Sequence, residues 1–398
     1  MENSGRILGE RSRIFIFGFL AAIAPLSIDI YLPALPMLQK TLDADEAGTL
    51  LTLSSFFVGF GAGQLVLGPL ADRFGRKRPL IAGLVLYIIA SAACASAATM
   101  SAIVFWRFLQ AFGGAVVPAV VQAMIRDRYD RDQSARVLSL NMLVSATAPI
   151  IAPLIGGQVL LWLDWRWIFW VLVGYGALAL VVTLALPETL DAARRKTAHP
   201  LAILRGYFSL FRNARYVGYV ACSSLYFCCL FAFIAGSPFV YIEYFGVPPQ
   251  YYGFLFGVNV IGMVTASYAN SRIVVRFGGD RILRIACTIG AAGGIILLAT
   301  GTSGFGAVAG LALPLFVALS VVTVIASNAV SGALAVTPER AGAAAALAGA
   351  LQFGVGGLTS AALGWFADGT PRPMSAMICA GAVGAFLVNR LLLGRRRD

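Results

Sequence analysis

Asp29 and Arg107 are charged residues that stand well inside long apolar runs of this sequence. In hydrocarbon surroundings such a side chain costs about 2.5–3.5 kcal/mol or more, so each is a functional candidate by position alone. A carboxyl in such a place can take up and release a proton, and a guanidinium or a cationic substrate can compete with that proton. Counted at roughly 1.5 Å per residue, Asp29 lies about 10 Å from the end of its run at Pro36, and Arg107 about 8 Å from the start of its own at Ala102. The two are therefore expected at similar depth. They form either a structural ion pair or a titrating switch, and a pair that opens and closes is both. Arg107, Gln110, Gly114, Pro118 and Gln122 fall on one helical stripe, polar and small where lipid-facing positions would be Leu or Phe. Ser145, Pro149, Pro153 and Gly156 recur at the same spacing, with Ala148, Ala152 and Gly157 beside them, so close packing and bends are expected there.

Other chemistries lack their residues. The one histidine, His199, sits in a basic stretch between apolar runs. Cys94, Cys222, Cys228, Cys229, Cys287 and Cys379 lie within such runs without ligand-like spacing and read as small buried hydrophobes, so no metal site is expected. Each lysine, Lys40, Lys77 and Lys196, is preceded by Gln39, Arg76 or Arg195, which excludes a Gly-Lys-Ser/Thr phosphate loop. Neither a cofactor nor an enzymatic activity is expected, and any transport must be gradient-coupled or passive. The 398 residues carry 30 Lys+Arg against 18 Asp+Glu, a net charge of +12, yet 12% are charged and 59% hydrophobic. A soluble domain has roughly twice that share of charge, and a nucleic-acid surface would gather its cations among polar residues. The partner implied is a lipid bilayer.

Twelve apolar runs are long enough to cross one. They cover residues 14–36, 47–67, 79–98, 102–125, 137–160, 167–186, 217–241, 252–271, 282–300, 305–326, 341–365 and 374–393. The first is too long for a signal peptide and is read as a retained helix. Of the 30 Lys and Arg, 26 fall on the side of the termini and three, Lys40, Arg166 and Arg372, on the other. By the positive-inside rule both termini are expected in the cytoplasm. The longest polar interruption divides the chain six and six, with halves at 1–187 and 217–398 and a cytoplasmic linker at 188–216 carrying an amphipathic stretch around 201–211. Residues 72–78 align weakly with 275–281 at an offset of 203, as in transporters built from two repeats.

Gly68-Pro69-Leu70-Ala71-Asp72-Arg73-Phe74-Gly75-Arg76-Lys77 resembles the signature loop between spans two and three of the major facilitator superfamily. Arg107 to Gly114 is similar to its span-four motif, with Ala111 at a usual glycine, and Ala148 to Gly157 to the span-five motif of its drug:proton antiporters, with Ala148 and Ala152 replacing glycines. Asp29 to Pro36, Trp165 to Phe169, Leu186 to Leu190 and Ile234 to Tyr241 look like the bicyclomycin and chloramphenicol resistance (Bcr/CflA) subfamily. The resemblance implies an all-α membrane protein of twelve transmembrane helices in two pseudo-symmetric six-helix bundles. It also implies proton-coupled antiport that exports small hydrophobic or amphipathic compounds by alternating access across a bacterial inner membrane, through a monomer. Proton coupling would rest on Asp29 and Arg107. A cytoplasmic latch would use Gly68, Asp72, Arg73, Gly75, Arg76 and Asp127 together with the end of span eleven, and the antiporter motif Pro149, Pro153, Gly156 and Gly157. Tyr31, Gln110, Tyr226, Phe231, Phe239, Tyr241, Asn259 and Gln352 are candidates for the substrate cavity, since aromatic faces and amides make adaptable contacts. The alternative is a proton-coupled symporter, or an exporter of one metabolite, on the same fold.

Overall fold

A computed structural model describes residues 10–191 and 200–394. The linker cations Arg194, Arg195 and Lys196, His199 and the tail Arg395, Arg396 and Arg397 lie outside the described residues. Those described are helical throughout, with no strand. Eleven helices are long and apolar enough to span a membrane, and a bent pair makes a twelfth.

The bent pair is α1, Phe15–Ala21 and Ile23–Thr41, which meet at 42°. The cause is local. Pro25 lacks an N–H, and its ring collides with the carbonyl four residues back, at Ala21. Beyond the bend α1 changes character again, from an α-helix over Ile23–Asp29 to a 3₁₀ turn over Leu32–Ala34 and then an α-helix over Leu35–Thr41. Asp29 is the last residue before that change.

The remaining spans are α2 (Glu46–Phe74), α3 (Lys77–Ala95), α4 (Met100–Arg128), α5 (Arg131–Trp162) and α6 (Arg166–Ala185) in the first bundle. The second holds α7 (Ala214–Tyr244), α8 (Pro249–Phe277), α9 (Gly279–Ser303), α10 (Ala307–Ala335), α11 (Pro338–Trp365) and α12 (Arg372–Leu393). A shorter linker helix, Pro200–Leu210, lies between the bundles in sequence. Side-chain caps set several starts: the Asp45 carboxylate accepts from Gly48 N at 2.7 Å, Asp130 from Gln133 N at 2.9 Å, and Asn213 from Arg215 N and Tyr216 N at 3.1 Å.

Two boundaries differ from expectation for a physical reason. The segment Gly68 to Phe74 is not loop but the last two turns of α2, where the helix leaves the apolar region while keeping its backbone bonds. The chain turns at Gly75, at φ 92° and ψ 168°, and Gly278 makes the same turn after α8 at φ 77° and ψ 146°. Both have the positive φ that glycine tolerates best. The weak sequence match at an offset of 203 is thus a repeated backbone turn.

The two bundles meet along α2 with α11 and α5 with α8. Near the end of the molecule opposite the termini, the Ser54 hydroxyl donates to Gly357 O at 2.7 Å and Ser360 to Leu50 O at 3.1 Å. Glycines permit this approach. A Cβ on Gly364 would stand 2.8 Å from Ala47 Cα, one on Gly157 2.6 Å from Pro249 O, and one on Gly253 2.7 Å from Leu154. In membranes, small residues and hydroxyl groups supply the packing that the hydrophobic effect cannot. Gly156 locks α1 to α5 in the same way, since a Cβ there would fall 2.1 Å from Ile30 O. Gly156→Ala is therefore expected to cost about 1–3 kcal/mol through overpacking and to lower the melting temperature of the purified protein. Gly68→Ala, which adds a Cβ with nothing within 4 Å, should not lower it.

Candidate functional site

Arg107 is fully buried in the first bundle, and its surroundings contain no carboxylate partner among the described residues. Its Nη1 donates to Ser27 O at 3.1 Å and to Gln110 Oε1 at 2.7 Å. Gln110 is held in turn by donating from Nε2 to Ser91 Oγ at 2.7 Å, and the Ser27 hydroxyl lies 2.6 Å from that of Tyr87. Three rings enclose the cation. The guanidinium carbon is 4.2 Å from the Phe56 centroid, 4.7 Å from Tyr31 and 5.9 Å from Phe169. Desolvated cation–π contacts reach about 2 kcal/mol each, which offsets part of the burial cost. Two further donors, Nε and Nη2, have no partner among the described residues.

Asp29 is 4% exposed and makes no hydrogen bond or ion pair with any described residue. It does not pair with Arg107. The expected nearness in depth holds, because Arg107 grips Ser27, two residues from Asp29. Two residues turn a helix by about 200°, so the grip on Ser27 leaves Asp29 on the other face of α1. That face looks toward the second bundle, where Asp29 is near enough to Tyr252 of α8 for electrostatic interaction. The Tyr252 hydroxyl shares a 2.8 Å hydrogen bond with Ser237 of α7. Counted from Thr41, where α1 really ends, Asp29 is also deeper than first reckoned, about 18 Å along the chain axis.

At the end that carries the termini, Arg76 joins three elements. Its Nη1 meets Asp72 Oδ1 at 2.5 Å and its Nε meets Asp127 Oδ2 at 2.9 Å. The third carboxylate is Glu188, just after α6, which spacing did not single out although it falls within Leu186 to Leu190. Its oxygens accept from Arg76 N at 2.9 Å and Lys77 N at 3.1 Å, so it sits on the positive end of α3. Arg73 stacks on Phe74 at 5.4 Å instead of joining the cluster. The partners of Arg76 come from α2, α4 and the end of α6, all in the first bundle, whereas the expected latch reached span eleven.

The candidate cavity residues separate by position. Tyr31 shares a 3.0 Å hydrogen bond with Thr52 and faces Arg107, and Gln110 serves Arg107. Both are core elements of the first bundle. Tyr226 is core in the second, its hydroxyl donating to Ala318 O at 2.6 Å and its ring filling the space that Gly290 leaves. All three make their contacts within their own bundles. Phe231 lies at the seam, 4.3 Å from Phe57 of α2 and 5.5 Å from Phe353 of α11 between ring centroids. Gln352 donates to Ser223 Oγ at 2.6 Å across α11 and α7, while the Tyr241 hydroxyl and Asn259 Oδ1 are buried without a partner among the described residues. Phe239 lines a small cavity at the far end with Glu46, Glu243, Leu363 and Met374.

The far end carries an ion pair that the sequence did not suggest, Lys40 Nζ to Glu243 Oε1 at 3.1 Å, joining α1 to α7. Glu243 belongs to a π-helical turn, Phe239–Tyr244, that follows the Pro238 end of the α-helix.

Twelve spanning helices in two bundles, with charge buried at their centre, define a multi-pass membrane transporter. The chain belongs to the Major Facilitator Superfamily, whose family model matches residues 17–361. It is 33% identical over 396 residues to a bicyclomycin resistance protein homolog of Haemophilus influenzae, covering 98% of each chain. It is 31% identical over 260 residues to the multidrug resistance protein MdtL of Escherichia coli, covering 65% of this chain and 66% of the relative. Among solved structures, a mutant of the nucleoside transporter NupG superposes with a TM-score of 0.77 at 15% identity, over 96% of this chain and 98% of that one. That likeness concerns the fold.

Burial alone would raise the Glu188 pKa, but hydrogen bonds from the N–H groups of Leu190, Arg76, Lys77 and Thr189 outweigh it and hold the pKa below its ordinary value. The stabilisation is thus fully present above the unfolded value, near 4.3, and is lost as pH falls through the folded one. The melting-temperature gap between wild type and Glu188→Gln should be constant above about pH 5 and narrow progressively on acidification below it.

Proposed function

We propose that this chain is a proton-coupled antiporter that exports small hydrophobic or amphipathic compounds across a bacterial inner membrane, as a monomer with both termini in the cytoplasm. The orientation rests on the charge asymmetry of the loops, and export of drug-like compounds on the relatives' names and the antiporter-like α5. The division into bundles at 1–187 and 217–398 around a linker at 188–216 belongs to the same reading. The observation that carries it is the unpaired Asp29, buried where α1 changes from α to 3₁₀ and turned to the seam between bundles.

Because Arg107 is held by rings, an amide and a carbonyl and not by a carboxylate, Asp29 is left to exchange its proton with a ligand. As a carboxylate it holds a cationic or hydrogen-bonding compound at the seam. As a neutral acid it releases that compound and loses its demand for a polar partner, so α1 can part from α8. The arrangement closes the end opposite the termini, through Ser54, Ser360 and the Lys40–Glu243 pair, and thus corresponds to an inward-facing state. Arg76 with Asp72, Asp127 and Glu188 keeps the inner ends of α2, α3, α4 and α6 moving together.

Asp29→Asn should abolish uncoupler-sensitive efflux of a fluorescent compound from efflux-deficient bacteria while membrane levels and melting temperature stay normal. Efflux at the wild-type rate would remove Asp29 from coupling. Reversing one charge of the outer pair, Lys40→Glu or Glu243→Lys, should shift the closed-to-open ratio by up to about fivefold, the worth of an exposed pair near 1 kcal/mol. The double reversal should restore it. The readout is far-side maleimide labelling of a Ser360→Cys thiol in a background without other cysteines.

A further inference from the structure

The linker helix has two faces. Tyr207 and Leu210 turn inward and are buried, while Phe208 is 66% and Phe211 47% exposed. Arg205, Arg212 and Arg215 are exposed beside those rings, and none forms an ion pair with a described residue. The depth of this surface is known. α7 begins at Ala214, so Phe211 and Arg212 stand within three residues of the start of a span, at the edge of the hydrocarbon. The same pairing of arginine and half-exposed phenylalanine marks the corresponding ends of α2 and α8, with Arg73 5.4 Å over Phe74 and Arg276 5.6 Å over Phe277.

The helix is also tied to both bundles. Tyr207 lies near Asp72 of α2, and burial together with that charge raises the pKa of the tyrosine hydroxyl. Ser209 accepts a hydrogen bond from Arg340 at the start of α11, and Asn213 Nδ2 donates to Val336 O at the end of α10 at 3.3 Å. A surface contact here therefore bears on the terminal ends of α2, α10 and α11.

We propose that the outer face of the linker helix docks on anionic phospholipid headgroups, and that this contact fixes the helix across the terminal mouth of the transporter. Phe208 and Phe211 enter the headgroup–acyl boundary, and the three guanidinium groups bind lipid phosphates, for which their forked donors are suited. The occupant is a lipid because the two rings need an apolar phase and the three cations need anions in the same plane. A zwitterionic lipid meets only the first need.

The test uses the purified full chain in nanodiscs of phosphatidylcholine with or without phosphatidylglycerol. The wild type should melt several degrees higher with the anionic lipid and retain it in native mass spectra, and raised salt should diminish both effects. Arg205→Gln, Arg212→Gln and Arg215→Gln together should erase the difference without lowering the melting temperature in phosphatidylcholine. Phe208→Ser should halve it or more. Equal stabilisation of wild type and triple variant by phosphatidylglycerol, or no preference in the wild type, would overturn the proposal. Asp29→Asn should keep the full lipid preference, so the outcome is separate from that for proton coupling.

Discussion

Everything at the centre of this molecule depends on how one cation is kept in a place without water. Arg107 is satisfied by faces and dipoles: three aromatic rings, the Gln110 amide and the Ser27 carbonyl. That solution has consequences on both sides of α1. On one side it joins α1, α2, α4 and α6 into a body whose rings cannot shift without exposing a charge to hydrocarbon. On the other it leaves the Asp29 carboxyl uncommitted. A direct ion pair would have joined the two charges, whereas this arrangement separates them onto opposite faces of α1.

The seams follow from a related constraint. Two bundles packed in a bilayer gain little from the hydrophobic effect and must approach closely instead. Across α2 and α11 they are held by hydroxyl-to-carbonyl bonds and glycine contacts, and across α5 and α8 by glycines against backbone and Leu154. Such contacts are short in range. Phe57, Phe60, Phe231 and Phe353 form the bulky part of the seam at mid-depth, where rings can slide over one another.

The spans and their number were legible in the sequence because a bilayer imposes a minimum apolar length that few other demands imitate. The buried charges were legible for the same reason. What sequence could not supply was rotation about the helix axis. Counting residues placed Asp29 and Arg107 at one depth but said nothing of azimuth, and it is azimuth that separates them. Nor could sequence tell that Tyr31, Gln110 and Tyr226 find their hydrogen-bond partners within their own bundles. Arg76 and Asp127 were recognised by motif, yet Glu188 was passed over because its role arises from the open N-terminus of α3, a feature of backbone placement. Lys40 and Glu243 lie about two hundred residues apart, and nothing local to either names the other.

The repeated turn at Gly75 and Gly278 bears on how the two bundles share labour. The backbone is duplicated, but its charges are not. Where the first copy has Asp72 and Arg76, the second has Val275 and Gly279, and its Asp280 accepts a hydrogen bond from Tyr219. One bundle is thus braced at its terminal end by an arginine between carboxylates, and the other by a tyrosine hydroxyl on a single carboxylate. The duplicated backbone carries two different fastenings, and the symmetry of the fold does not extend to its electrostatics.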